Sequence, residues 1–187
     1  MKEDAALIII SGVSGVGKSE VMKRLLTDPE LNSLKLITTT TRSPRAGERD
    51  GHDYYFVSRE EFRKGIVNNQ FLEHVEYNNN YYGTSLNSLK KGLLSKNILL
   101  IVDVRGFQKI KTLWTGKITS FWLQPPNRAK LLANLRKRGE KEAEIKKRLT
   151  IAESEIPFAE EYDFILTVND NLDQVAAEIK KKILSLV

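Results

Sequence analysis

The run Leu7-Ile8-Ile9-Ile10-Ser11-Gly12-Val13-Ser14-Gly15-Val16-Gly17-Lys18-Ser19 carries more information than any other stretch of this chain. Its first four residues are apolar and mostly β-branched, the composition of a strand buried on both faces of a parallel sheet. The run then turns abruptly Gly-rich. From about Ser19 to Leu26 the pattern is helical, and Asp28-Pro29 stops it. Gly12 to Ser19 fits G-x-x-x-x-G-K-[ST] in the strand–loop–helix setting that this motif needs. Glycines let the backbone fold tightly enough for several N–H groups to converge on phosphate oxygens. The helix that follows adds the positive end of its dipole. Lys18 supplies a point charge for β and γ phosphates, and the Ser19 hydroxyl suits Mg²⁺. The run argues for binding a nucleoside triphosphate, without choosing a reaction.

Outward from that loop, strand and helix signals alternate. Leu36 to Thr39 reads as a strand, 40–51 as a polar loop and His52 to Val57 as a strand. Ser58-Arg59-Glu60-Glu61 is a capping box that opens a helix to about Asn68. Phe71 to Tyr77, Asn78-Asn79-Asn80 and Tyr81 to Thr84 read as strand, turn, strand. A helix over 85–95 leads to the buried strand Ile98 to Val102, which ends in Asp103. Lys117 to Leu123 is a further strand, closed by Pro125-Pro126. Two helices broken at Gly139 and ended by Pro157 follow, then a strand over 163–168 and an amphipathic helix over 172–186. This alternation predicts an α/β fold with a parallel sheet core flanked by helices, whose ligands sit at the carboxyl ends of the strands. The stretch 38–84 breaks the rhythm and reads as a mixed-β lobe, and 127–157 as a helical insert. The chain is expected to be a single domain over 1–187, with its core in 5–37, 85–126 and 158–187.

Composition removes several classes. The 187 residues are 41% hydrophobic and 29% charged, ordinary globular usage. With no cysteine there can be no disulfide, thiolate metal site or cysteine nucleophile. His52 and His74 are the only histidines, too few for a His-rich metal cluster. The longest apolar run, Ala5 to Ile10, is too short to span a membrane, and the first residues do not read as a signal peptide. The expected location is cytoplasmic, with no membrane partner. The net charge of +6 is concentrated: residues 127–150 hold nine basic and three acidic residues, which equals the whole excess. Such a cluster attracts phosphate or presents a solvated helix face, and charge alone does not separate the two. A nucleic-acid partner is not expected, because no aromatic stands between Trp122 and Phe158 for bases to stack on.

A second anion site is visible in Thr40-Thr41-Arg42-Ser43-Pro44-Arg45-Ala46-Gly47-Glu48, where two arginines three apart ride a Pro-braced loop. Guanidinium forks bind phosphate oxygens bidentately, and a stiff loop lowers the ordering cost. Tyr54 and Tyr82 can add phenolic O–H donors. Asp103-Val104-Arg105-Gly106 matches the D-x-x-G of GTPases, but the Asn-Lys-x-Asp that reads guanine there is absent. Asp103 remains a carboxylate at a strand mouth, able to orient Mg²⁺-bound water or substrate.

Taken together, these blocks resemble the guanylate kinase family. The likeness covers nearly the whole chain and rests on Ser11 to Ser19, Thr40 to Glu48 and Gly51-His52-Asp53-Tyr54-Tyr55-Phe56-Val57. It continues through Phe71-Leu72-Glu73, Asn80-Tyr81-Tyr82-Gly83-Thr84, Arg138-Gly139, Arg148-Leu149 and Val168-Asn169-Asp170. It implies a P-loop kinase fold and ATP-dependent, in-line phosphorylation of GMP, extending to dGMP, in purine nucleotide metabolism. Mg²⁺ would enter with the ATP. It also implies residue roles. Gly12, Val13, Ser14, Gly15, Val16, Gly17, Lys18 and Ser19 would hold ATP, with Asn169 near the adenine. Arg42, Arg45, Tyr54 and Tyr82 would hold the GMP phosphate, while Thr38, Glu73 and Thr84 read the guanine beside Asp103. The 38–84 lobe becomes the GMP-binding lobe and 127–157 the lid. Lys18, Arg42, Arg138 and Arg148 would stabilise the transferring phosphoryl group. The sequence departs from the family pattern at Val13 (usually Pro), Thr38 (often Ser), Ile101 (commonly Asp) and Asn134 (a lid arginine). A catalytically silent interaction domain of the same lineage is the alternative of a different class, and the complete phosphate loop weighs against it. Monomer and homodimer both remain open.

Overall fold

The computed structural model describes residues 5–77, 79–137, 139 and 141–186. β1 (Leu7–Gly12) is buried at every position, as its composition demands. It forms the centre of a five-stranded sheet with β2 (Ser33–Lys35), β7 (Asn97–Ile101), β8 (Ile118–Gln124) and β9 (Phe164–Thr167). The strand order is β2-β7-β1-β8-β9 and every neighbouring pair is parallel. The register sets Leu7 between Ile98 and Ile118, so three apolar strands pack side by side. Parallel strands need crossovers, and helices supply them. α1 (Lys18–Leu26) follows β1, α3 (Leu86–Gly92) precedes β7, α4 (Val104–Leu113) joins β7 to β8, and α7 (Leu172–Leu184) follows β9. α1 packs on α7, and α4 packs on β1 and on the strand Phe71–Tyr77. Trp122, Phe121 and Phe107 fill the interior.

A second, four-stranded sheet has the order β4-β3-β6-β5, built from β3 (Thr39–Thr40), β4 (Tyr55–Phe56), β5 (Phe71–Tyr77) and β6 (Asn80–Ser85). β5 and β6 are antiparallel and β3 runs parallel to β4, so this sheet is mixed. The expected P-loop kinase architecture, a parallel core with a mixed-β lobe and helices, is the one observed. A capping box starts α2 (Arg59–Val67): Ser58 Oγ accepts from the Glu61 N–H at 3.1 Å while Glu61 Oε2 accepts from the Ser58 N–H at 2.8 Å. The basic insert folds as α5 (Arg128–Lys137) and α6 (Glu142–Glu155), followed by the 3-10 helix Ile156–Glu161.

Local departures from the sequence reading have physical causes. The strand expected over 36–39 is split. The Leu36 N–H still donates to the Leu99 carbonyl of the core sheet; the chain then crosses at 37–38 and enters the second sheet at Thr39. The strand expected over 52–57 shrinks to Tyr55–Phe56 because Asp50 and Asp53 accept the Phe56 and Arg49 N–H groups and hold a turn there. The helix expected over 85–95 is shorter, with Ser85 outside it as the N-cap. α4 was not expected at all. Its signals were nonetheless present: Asp103 caps it by accepting from the Gly106 N–H at 2.7 Å, and Val104, Phe107 and Ile110 bury one face.

Candidate active site

A cleft of about 260 Å³ opens where the carboxyl ends of β1 and β7 face the second sheet. Its floor is the phosphate loop. Gly12 adopts φ +139°, and a Cβ there would lie 2.1 Å from the Leu123 carbonyl oxygen, so only glycine lets β1 turn away from β8 at this point. Gly17 (φ +114°) is the N-cap of α1, and Lys18 and Ser19 open the helix, where N–H groups have no intrahelical partner. Lys18 Nζ donates to the Gly12 and Val13 carbonyls at 2.5 and 3.1 Å, so the ammonium already lies over the loop. Gly12, Ser14, Gly15, Gly17, Lys18 and Ser19 all line the cleft. Val13 and Val16 belong to the same loop, but their side chains are buried in the core.

The helical insert sits directly on this loop. Leu135 and Leu131 pack over Gly15, where an added Cβ would meet Leu135 Cδ2 at 2.8 Å. Asn134 Nδ2 donates to the Gly15 carbonyl at 3.1 Å, so the residue standing in place of a lid arginine ties α5 to the loop. From α6, Arg148 donates to Ser14 Oγ at 2.5 Å. Arg138 lies outside the described residues.

Opposite the loop, the second sheet gathers two arginines and two tyrosines at the cleft. Arg42 is held from three sides: Glu48 Oε1 accepts from it at 2.9 Å, the Ser43 carbonyl accepts at 2.7 Å, and the Tyr54 ring lies 5.4 Å beneath its guanidinium. Glu48 also accepts the Arg45 backbone N–H at 2.7 Å, so one carboxylate sets both the loop and the guanidinium. Nothing in the spacing of Glu48 from Arg42 marks it for this role. Tyr54 and Tyr82 meet edge-on with centroids 6.2 Å apart, and burial followed by the neighbouring Tyr82 raises the Tyr54 hydroxyl pKa. Arg45, Tyr54 and Tyr82 line the cleft with Arg42.

Glu73 lies deeper, only 5% exposed. A bulge between Phe71 and Glu73 re-aims β5 and pairs Glu73 with Thr84. Glu73 Oε1 accepts from Thr84 Oγ1 at 2.6 Å, whereas Oε2 is buried without a partner. Burial pushes this carboxyl up to about 7, with Thr84 opposing and Asp103 adding to the rise. Thr38 and Asp103 complete the wall, and Gly106 leaves space beside the orphan oxygen. Thr84 itself is fully buried behind Glu73 and does not reach the cleft. Asn169 does not line the cleft. It is exposed, and its side chain accepts from the Asn171 N–H at 2.9 Å. Glu155, Tyr77 and Asn80 line the cleft and were not anticipated. Glu155 was findable, since it follows Arg148 by seven residues on one helix.

Among the described residues no cluster of three or more His, Cys, Asp or Glu is placed to hold a metal ion, and no helix is long and apolar enough to cross a membrane. The parallel core, the phosphate loop at its switch point and the helical cover define the class: a P-loop kinase. Comparison with known proteins narrows it. A family profile described as guanylate kinase matches residues 4–186. A guanylate kinase of Prochlorococcus marinus strain MIT 9312 is 42% identical over 185 residues, covering 98% of this chain and 99% of its own. One from Porphyromonas gingivalis is 42% identical over 184 residues, 97% of each chain. Among solved structures, guanylate kinase from Anaplasma phagocytophilum superposes with a TM-score of 0.77 at 28% identity, covering 99% of this chain and 87% of that one. The chain belongs to the guanylate kinase family.

Proposed function

We propose that this protein transfers the γ-phosphoryl group of ATP to GMP, and to dGMP, giving ADP and GDP or dGDP. A phosphate oxygen of GMP attacks the γ-phosphorus, and the bond from that phosphorus to the β–γ bridging oxygen breaks. The electron pair leaves on ADP. The acceptor phosphate is already an anion at neutral pH, so no strong general base is required. Within the chain, 38–84 acts as the GMP-binding lobe, 127–157 as the lid, and 5–37, 85–126 and 158–187 as the core.

The observation that carries the reading is Glu73, a buried carboxyl with one unpartnered oxygen across the cleft from the phosphate loop. Guanine presents N1–H and N2–H₂ side by side, and one carboxylate can accept both. Adenine has no donor at N1 and would leave the buried oxygen unsatisfied, at about 1–3 kcal/mol or more. Arg42, Arg45, Tyr54 and Tyr82 take the GMP phosphate, and Thr38 and Asp103 border the base. Thr84 acts through Glu73, which it orients. Lys18, Arg42, Arg138 and Arg148 meet the charge that spreads over the transferring group. Lid closure over the loop excludes water as a competing acceptor.

Ser19, exposed at the start of α1, fits a nucleotide-borne Mg²⁺. A single hydroxyl without a carboxylate cage suits a cation that keeps its waters and phosphate oxygens. Bound there, Mg²⁺ supplies neutralisation of the β and γ oxygens.

Coupled ADP release measured with GMP, AMP, CMP and UMP tests the assignment. GMP should turn over at least about 10⁴-fold better by kcat/KM than AMP, the scale of hydrogen-bonding specificity pockets. A preference for AMP, or ADP release independent of acceptor, overturns it. Lys18→Ala should lower kcat/KM about a thousandfold, the loss expected for one preorganised charge at the reacting group.

A further inference from the structure

Glu155 faces the cleft but has no part in either anion pocket or in the base pocket. It ends α6 and precedes the 3-10 helix, to which its side chain makes no capping hydrogen bond. Arg148 stands seven residues earlier on the same helix. Seven residues are close to two turns, so both side chains leave one face about 10 Å apart along the axis. One face of the lid therefore brings a cation to Ser14 and an anion into the cleft that Lys18 also lines.

Charged and titratable groups meet Glu155 from every side: Lys18 from α1, Asp103 and Arg105 at the start of α4, Tyr77 from β5, and Tyr162 just after the 3-10 helix. Burial pushes its carboxyl up to about 7, Lys18 draws it down again, and Asp103 opposes Lys18. A carboxylate in a cleft built for polyphosphate repels the ligand it helps to enclose. It is explained if that repulsion falls on the bound substrate more than on the transition state.

We propose that Glu155 is a positioning residue for phosphoryl transfer: from the lid it draws the Lys18 ammonium away from ground-state contact with the triphosphate, so that the cation engages fully only as charge moves onto the bridging oxygen. The inference rests on the reading that Lys18 meets the β and γ phosphates. Attraction expressed equally in substrate and transition state lowers KM without raising kcat, and Glu155 works against that.

Glu155→Gln keeps the shape and removes the charge. At pH 8 it should tighten ATP binding and lower the KM for ATP about fivefold, as expected when one like charge leaves a partly screened site. It should also lower kcat about tenfold, because Lys18 then settles on the bound substrate. ATP affinity of the parent should rise from pH 8 to pH 6 more than that of Glu155→Gln, the nucleotide's own titration being common to both. Glu155→Asp should recover part of kcat. Parent-like KM and kcat in Glu155→Gln, within twofold at pH 8, overturn the proposal. So does a raised KM with a lowered kcat, the mark of structural damage alone. If Glu155→Gln melts well below the parent, Glu155→Asp carries the same comparison with smaller shifts in the same directions. The ATP-binding arm needs no GMP, so it decides the role of Glu155 even if the acceptor assignment fails.

Discussion

Glu73 answers to two opposing demands. Its burial favours the neutral acid, while the proposed contact to guanine requires the carboxylate. With a carboxyl near 7, GMP affinity should fall as the pH drops from 8 to 6, by about tenfold once the phosphate's own titration is subtracted, because most of the free protein must then release a proton to bind. Titration calorimetry at several pH values reads this as proton release that grows toward low pH. Stability moves the other way. The folded pKa lies above the unfolded value of 4.5, so the free protein is penalised as the pH rises from about 4.5 to about 7. The cost is about 3 kcal/mol above that window. Glu73→Gln should remove its own share of that slope in thermal melts, leaving the share of Glu155, and raise stability at pH 8. It should lower kcat/KM for GMP about a hundredfold through the misplaced amide N–H₂, with the KM for ATP unchanged. That position 73 carries a carboxyl was legible in the sequence; the orphaned Oε2 was not, because a bulge, not composition, decides where that oxygen points.

At the scale of elements, α5 and α2 make contrasting predictions. Asn134 ties α5 to the phosphate loop through one hydrogen bond, worth about 1 kcal/mol. Asn134→Ala should therefore raise the KM for ATP about fivefold while leaving the KM for GMP unchanged. The capping box of α2 is remote from the nucleotides. Ser58→Ala should cost about 1 kcal/mol, lowering Tm by about 2–4 °C in a chain of this length, with kinetics unaltered. These elements also show what sequence reading can reach. The capping box was legible because its signal is local, two side chains and two backbone groups within four residues. The split of the 36–39 strand was not, because those residues are divided between two sheets by partners distant in the chain, Leu99 for Leu36 and Tyr81 to Gly83 for Thr39 to Thr41. α4 escapes sequence reading although its cap and its apolar spacing are in plain view, because a strand-end aspartate such as Asp103 suits ligand chemistry as well as capping.

At the scale of the molecule, two ligand pockets on different sheets predict linked stabilisation. ATP and GMP each at about a hundred times Kd should stabilise the fold by about 2.7 kcal/mol apiece, and together by more than the sum of the two if closure couples them. Chelating Mg²⁺ with EDTA should remove most of the ATP contribution and spare that of GMP, which differential scanning fluorimetry can resolve. The overall architecture was readable from alternating strand and helix signals because the buried core strands announce themselves as short apolar runs, even where a long insert separates them. The seating of the basic insert was not, because charge spoke of phosphate while leucines and the neutral Asn134 make much of the contact that holds the insert to the loop.

That apolar seating has a thermal consequence. Leu131 and Leu135 hold the cover on Gly15 by excluding water, an attraction that weakens on cooling, whereas the ionic grip on the nucleotides does not. In the cold the enzyme should keep its fold and lose its shelter: below about 10 °C, hydrolysis of ATP by stray solvent should gain on productive transfer, and substituting methionine at either leucine should move that crossover to a higher temperature.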